Sequence, residues 1–335
     1  VSKLDMNKML VEATLSKALK DLKADPDKAL RSWMEKSEKN AKGREPNEVL
    51  ARVRELLRDP GSAYYTLVKR MVKQVQADRL KTFGLNLGYH GLTAGQQALR
   101  SKELLHDVHI PWSISFDLDG TVTASQIDSI IEQGKALGIY CYQLHCRTEK
   151  RVYDLPPLLT KYKEAAFILY TKPQVVTDVF LEHFEKHKHV LLSLACQEGH
   201  EDEKFALLQK AGFLYAAHFD YNGGNVGELY SGRFLHYAES VGAIAAMAWP
   251  QEGVPVSLRD EVCRYLCFQR KEQRQAVLPI EVVEDSILVD QLLSKERGFL
   301  SFNGAGQRIS WEKGCASHEG NLRGETLLQI LARPE

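Results

Sequence analysis

From Trp112 onward, apolar and polar positions alternate between two periods. The runs "WSISFDL", "IYCYQLHC", "AFILYT", "KHVLLSLAC", "FLYAAHFDY" and "AIAAMAWPQ" are short, rich in β-branched and aromatic residues, and strand-like. Each of the first five is followed by a run with apolar residues at helical spacing: "ASQIDSIIEQGKALG", "DLPPLLTKYKEA", "PQVVTDVFLEHFEKH", "EDEKFALLQKAG" and "ELYSGRFLHYAESVG". Six βα-type units in succession predict an α/β fold with a parallel sheet and helices outside it. Because no long crossover interrupts them, a partial βα barrel is the expected closure.

The flanks read differently. Residues 1 to 108 contain no persuasive strand; "DPDKALRSWMEKSEKNAK", "EPNEVLARVRELLRD" and "PGSAYYTLVKRMVKQV" predict helices opened by Asp-Pro, Glu-Pro and Pro-Gly. After about residue 250 come a long helix, "VSLRDEVCRYLCFQRKEQRQ", a hairpin-like "FLSFNGAGQRISW" and a closing helix, "GETLLQILA". The expected organisation is a helical region over 1–108, a barrel over 109–252 and a small α/β extension over 253–335.

With 335 residues and 44% apolar content the chain can bury a sizeable core. Lys+Arg and Asp+Glu number 44 each, so no global field draws it to nucleic acid or an anionic membrane. No window approaches about 18 uninterrupted apolar residues, and "VSKLDMNKML" has no apolar run of signal-peptide type, so a cytoplasmic protein is expected. In that setting the six cysteines are not expected to form disulfides. Cys263 and Cys267 share a helix face, but no third ligand lies nearby in sequence, and no metal site is expected there.

"ISFDLDGTVTAS" is similar to the first motif of haloacid-dehalogenase-type phosphatases, an apolar strand followed by Asp-x-Asp-Gly-Thr. On that resemblance Asp117 would be the nucleophile and Asp119 the acid, with magnesium shared between carboxylate and phosphate. The remaining parts are not in place. Ser193 lies inside its strand, "HFDYNGGN" supplies only Asp220 where two acids are wanted, and more than a hundred residues precede a motif that normally opens its domain.

A wider resemblance covers the chain from about residue 45: "HDVHIPWSISFDL", "QIDSIIEQGKALGIYCY", "FDYNGGNVGELYSGRFLHYAESVGA", and "FLSFNGAGQRI" with "GNLRGETLLQIL". In these stretches the chain resembles radical S-adenosylmethionine (radical SAM) enzymes. The resemblance implies a partial (βα)6 radical-SAM-type TIM barrel with an N-terminal helical region and a C-terminal extension that is a SPASM-like remnant. It also marks what is missing. Family members follow the first strand with a Cys-x3-Cys-x2-Cys loop that holds a [4Fe–4S] cluster, and this chain has no cysteine before Cys141. Where the family carries Gly-Gly-Glu-Pro after the second strand, this chain has His145 to Thr148, "HCRT", and Trp311 stands where relatives often place a further cysteine. "FDLDGT" then reads as a shortened cluster loop turned into a tight Asp-Gly turn.

Side chains at the C-terminal ends of barrel strands face the mouth. Here these are Asp117, Asp119, His145, Arg147, Tyr170, Lys172, Cys196, Glu198, Asp220, Asn222, Trp249 and Gln251. Cys196 reads as a buried strand-end thiol. "HFEKHKH" reads as a solvated helix end despite His183 and His187 at i and i+4, and "DYNGGNVGE" reads as a flexible loop able to act as a lid. The leading expectation is a pseudoenzyme without iron–sulfur cluster, SAM or other cofactor. It would serve as a binding, scaffold or regulatory subunit for an active radical SAM relative or its peptide substrate. The alternatives are a magnesium-dependent phosphohydrolase using Asp117 and Asp119, and a small-molecule sensor binding in the mouth.

Overall fold

The computed structural model describes residues 3–32, 55–57, 59, 61–196, 201–311 and 315–333. The elements before Ser113 are helical: Lys3–Ala24, Ala63–Gln74, Ala77–Gly84, a π-helical segment Leu85–Ala94, and Gly95–His106. Ser62 caps the second of these by accepting from the Tyr65 amide. The expected helix in "EPNEVLARVRELLRD" falls mostly outside the described residues, as does the second half of "DPDKALRSWMEKSEKNAK".

The six strand-like runs are strands: β1 Ser113–Asp117, β2 Cys141–His145, β3 Ala166–Thr171, β4 Val190–Ala195, β5 Tyr215–Tyr221 and β6 Ala245–Pro250. They pair in sequence order and in parallel. Four more strands were not all foreseen. β7, Leu278–Glu281, adds in parallel beside β6. β8, Leu300–Phe302, and β9, Gln307–Ser310, form the expected hairpin, but β8 also pairs in parallel with β1. β10, Cys315–Asn321, follows antiparallel. The result is an α/β fold on one mostly parallel sheet ordered β10-β9-β8-β1-β2-β3-β4-β5-β6-β7.

That sheet is strongly curled. β2 and β6 stand four positions apart, roughly 19 Å in a flat sheet at the usual strand spacing. Yet His145 at the end of β2 lies against Trp249 at the end of β6, with ring centroids 3.9 Å apart. The convex face packs on helices such as Ala124–Leu137, whose Ile127, Ile130 and Ile131 are buried and whose Thr123 and Gln126 form a capping box.

The helices over 63–94 cover the loops that lead into the strands. Arg70 donates to the carbonyls of Glu239, Ala243 and Ala276. Arg79, fully buried, donates to the carbonyls of His187 and Glu185 and to the Glu185 carboxylate, and lies 3.6 Å over the Phe213 ring. Asn86 donates to the carbonyls of Lys163 and Ala165. A second tie is His109, whose two ring nitrogens sit 2.8 Å from Glu103 and 2.7 Å from Asp290. Burial alone would lower its pKa, but hydrogen bonds and charges from Asp290 and Glu103 raise it to about 10. Asp290, itself buried, also accepts from the Trp112 amide.

Stability is expected to peak near neutral pH and fall on both sides. Burial lowers His187, His189 and His218 to about 4, so their contribution is complete above the unfolded value near 6.5 and is lost as pH falls toward 4. His109 is raised, so its contribution is complete below about 6.5 and is lost as pH rises through about 10. Glu281, raised to about 8 mainly by burial, weakens the acid limb and adds to the alkaline one. Urea unfolding from pH 4 to 10 measures the dome, and His109→Gln should flatten its alkaline limb; an unchanged limb would refute the assignment. His109→Ala, which strands the buried Asp290, should cost about 3 kcal/mol at neutral pH.

Candidate functional site

Strand alternation places Ser113, Ser115 and Asp117 of β1, Gln143 and His145 of β2, and His218 and Asp220 of β5 at every second position, apart from the convex-face residues Ile114, Phe116, Leu144 and Phe219. The interior of the curl is therefore polar at many positions. At its C-terminal end a cavity of about 280 Å³ opens, lined from the strands by Ser115, Asp117, His145, Asp220 and Trp249 and from the loop after β2 by Arg147. The segment after β6 adds Gln251 and Glu252, and the C-terminal region adds Ser301, Asn303, Ile309 and Trp311.

The bottom of the cavity is an aromatic layer. His145 stacks on Tyr170 with centroids 4.3 Å apart and the planes parallel, and Trp249 leans on both rings. Trp249 also meets Trp311 edge to face at 6.3 Å. Beneath, Tyr170 donates its hydroxyl to Gln143, while Trp311 donates its indole N–H to Ser301. Burial, and then the charges of Arg147 and His218, hold His145 well below the ordinary histidine range, so its ring is neutral.

The loop after β1 is tied down. Asp119 accepts from the backbone N–H of Arg147 at 2.7 Å on one oxygen and of Thr148 at 3.2 Å on the other. Asp117 accepts from the Asp119 amide, and its second oxygen lies 3.4 Å from the Arg147 guanidinium. Gly120 is pressed on Gly304 in the β8–β9 turn: a Cβ on Gly120 would stand 2.1 Å from the Gly304 carbonyl oxygen, which already accepts from the amides of Thr121 and Val122.

Of the sequence-predicted residues, Asp117, His145, Arg147, Asp220, Trp249 and Gln251 share the cavity. Tyr170 is buried beneath it, and Asp119 sits in the loop as an acceptor of amides. Lys172 is exposed outside the lining, Asn222 holds Gln251 by a side-chain hydrogen bond of 2.8 Å, and Glu198 lies outside the described residues. Cys196 is buried as expected. Cys146 is buried with its pKa pushed up to about 12, chiefly by burial, which disqualifies it as a nucleophile at neutral pH.

Two expectations are corrected. His187 is buried against Phe184 and His189 and is not part of a solvated helix end. The "DYNGGNVGE" loop is braced from within: Asn225 accepts from the Asn222 amide and donates to the Asp220 carbonyl, and Asn222 accepts from the Gly224 amide. Ser301, Asn303, Ile309 and Trp311 were missed because they enter through the β8–β1 pairing, which joins segments far apart in sequence.

The fold and site define a curled, mostly parallel α/β protein with a polar cavity at the C-terminal ends of its strands. No family model matches the chain, and no curated protein matches it. Among solved structures, Streptococcus suis SuiB bound to S-adenosylmethionine is similar over 70% of this chain and 67% of its own, with 11% identity and a TM-score of 0.49. SuiB bound to its precursor peptide SuiA gives 10% identity, 70% and 68% coverage, and the same TM-score of 0.49. A putative aldo-keto reductase from Pseudomonas aeruginosa gives 12% identity, 54% and 87% coverage, and a TM-score of 0.32. Values this low establish neither a family nor an activity. Among the described residues no helix is long and apolar enough to cross a membrane.

Gly120→Ala should destabilise the protein by about 1–3 kcal/mol in urea unfolding, because the Cβ meets backbone. The His145 ring should show no titration between pH 5 and 8 in NMR spectra, and a midpoint inside that window would contradict its burial.

Proposed function

We propose that the chain is a binding protein on a radical-SAM-like partial barrel, and that its mouth takes the amine of a peptide or small molecule. The observation that carries the reading is Asp220. Its Oδ1 is buried and has no hydrogen-bond partner within the protein among the described residues. A buried carboxylate oxygen without a donor is costly, and an ammonium group supplies both donor and charge. Among the described residues the charged lining of the cavity is three carboxylates, Asp117, Asp220 and Glu252, and the guanidinium of Arg147. Trp249 and Trp311 are among the aromatic residues that line the cavity, and the Trp311 ring already carries the Arg259 guanidinium at 5.3 Å.

The absence of iron–sulfur and SAM chemistry in this proposal is supported by the donor set. The loop after β1 carries no thiol, and its Gly120 packs directly on Gly304. Such a loop does not fit a cluster that needs three thiolates. The partner that suits the reading is a protein presenting a peptide, such as an active radical SAM relative or its substrate. The phosphohydrolase reading has less support. Both oxygens of Asp119 accept backbone amides, and among the described residues no third metal-ligand side chain groups with Asp117 and Asp119 within 4.8 Å.

Calorimetric titration with L-lysine and with tripeptides bearing free or acetylated N-termini tests the proposal. Free amines should bind, with affinity about tenfold or more lower for the acetylated peptide and for Asp220→Asn, as expected for a charge-assisted hydrogen bond. Absence of binding by every amine probe, or equal binding by Asp220→Asn, would sink it.

A further inference from the structure

The helix Val256–Glu272 presents Cys263 and Cys267 one turn apart, and the helix Val282–Ser294 brings Asp285 against them. One ligand atom from each of the three lies within 4.8 Å of the others, and all three residues are half-buried. We infer that Cys263, Cys267 and Asp285 form a binding site for a divalent ion of the zinc class, set between these two helices and away from the mouth.

The spacing fits the ion. Two tetrahedral Zn–S bonds of about 2.3 Å place their sulfurs about 3.8 Å apart. The two Sγ atoms stand 4.0 Å apart and are not joined in a disulfide. Two sulfurs and one carboxylate oxygen make three protein ligands, which leaves a fourth position for water or another donor. Thiolate pairs favour zinc-class ions over magnesium or calcium, whose preference is for oxygen.

The surroundings supply the outer partners such a site needs. Asp285 accepts from Arg270 on both oxygens, at 3.1 and 2.5 Å, and from the Glu281 amide at 3.0 Å. These contacts fix the carboxylate's orientation, and Oδ1, which accepts from Arg270, keeps a lone pair for the ion. Arg270 is itself held by donating to the Pro279 carbonyl. Charge also balances: two thiolates and one carboxylate against a divalent ion and the Arg270 guanidinium come to zero, which makes the partly buried group tolerable. Binding releases the two thiol protons to solvent.

Cobalt(II) titration of the reduced full-length chain tests the assignment, since thiolate-bound cobalt absorbs by charge transfer in the near ultraviolet. One equivalent should develop that band, and one equivalent of zinc should abolish it. Cys263→Ser and Cys267→Ser should each weaken cobalt binding by at least tenfold while circular dichroism shows the fold intact, and Cys196→Ser should leave it unchanged. Asp285→Glu, which retains the carboxylate and its partner Arg270, should bind with altered affinity but keep the band. No thiolate band, or a band that survives in the Cys263→Ser/Cys267→Ser double variant, would overturn the site.

Discussion

The contact between His145 and Trp249 is the constraint on which the arrangement turns. Rings from strands four positions apart can meet at 3.9 Å only if the sheet between them bends until its concave face closes on itself. Once bent, that face must be filled to interior density, and His145, Tyr170, Trp249 and Trp311 fill it with one continuous aromatic layer. The layer then sets the depth of the cavity. Around it the cavity is lined by strand ends and loops and by side chains from within β1, β8 and β9.

The same closure explains why the loop after β1 is not free to do chemistry. With β8 paired to β1, the turn at Gly304 comes against Gly120, and only two residues without side chains can pass so closely. Asp119 is drawn into the neighbouring loop, where its carboxylate caps the amides of Arg147 and Thr148. A local pattern that looks like a pair of catalytic acids is thus divided by its context. Asp119 is committed to backbone, and Asp117 faces the cavity beside Arg147.

The period-2 runs from β1 to β6 were legible because each is short, apolar and bounded by a helical pattern. β7 and β10 were not: "LPIE" is four residues carrying a proline, and "CASHEGN" has no apolar alternation at all. The helix Val282–Ser294 was not foreseen either: it follows β7 without a break, so no turn signal separates the two. The strand-end residues of the site were readable from the mouth rule alone, as Asp117, His145, Asp220 and Trp249 show. A further signal lay in the same strands: Ser113, Ser115, Gln143 and His218 are polar residues at alternate positions of otherwise buried runs, which marks a polar interior. The contribution of Trp311 and Asn303 depends on a parallel pairing of β8 with β1 across some 180 residues, and no local pattern encodes that.

The two ends of the strands differ in which polar groups are left over. At the lead-in end, Arg70, Arg79 and Asn86 pair with backbone carbonyls, and the groups left unmatched there include the Nε donors of Arg70 and Arg79, on guanidiniums already making several bonds. An extra unmatched donor on such a group is a modest cost, because its charge is already distributed over its partners. At the mouth the unmatched groups are the His145 Nε2, the Thr171 hydroxyl at the end of β3 and a carboxylate oxygen of Asp220. Asp220 Oδ1 is a buried carboxylate oxygen with no donor among the described residues, and the His145 ring in the same lining is neutral. The lead-in end thus keeps unmatched donors on arginines already bonded elsewhere, while the mouth keeps a carboxylate acceptor in a cavity floored by aromatic rings, a setting that suits the proposed ammonium ligand.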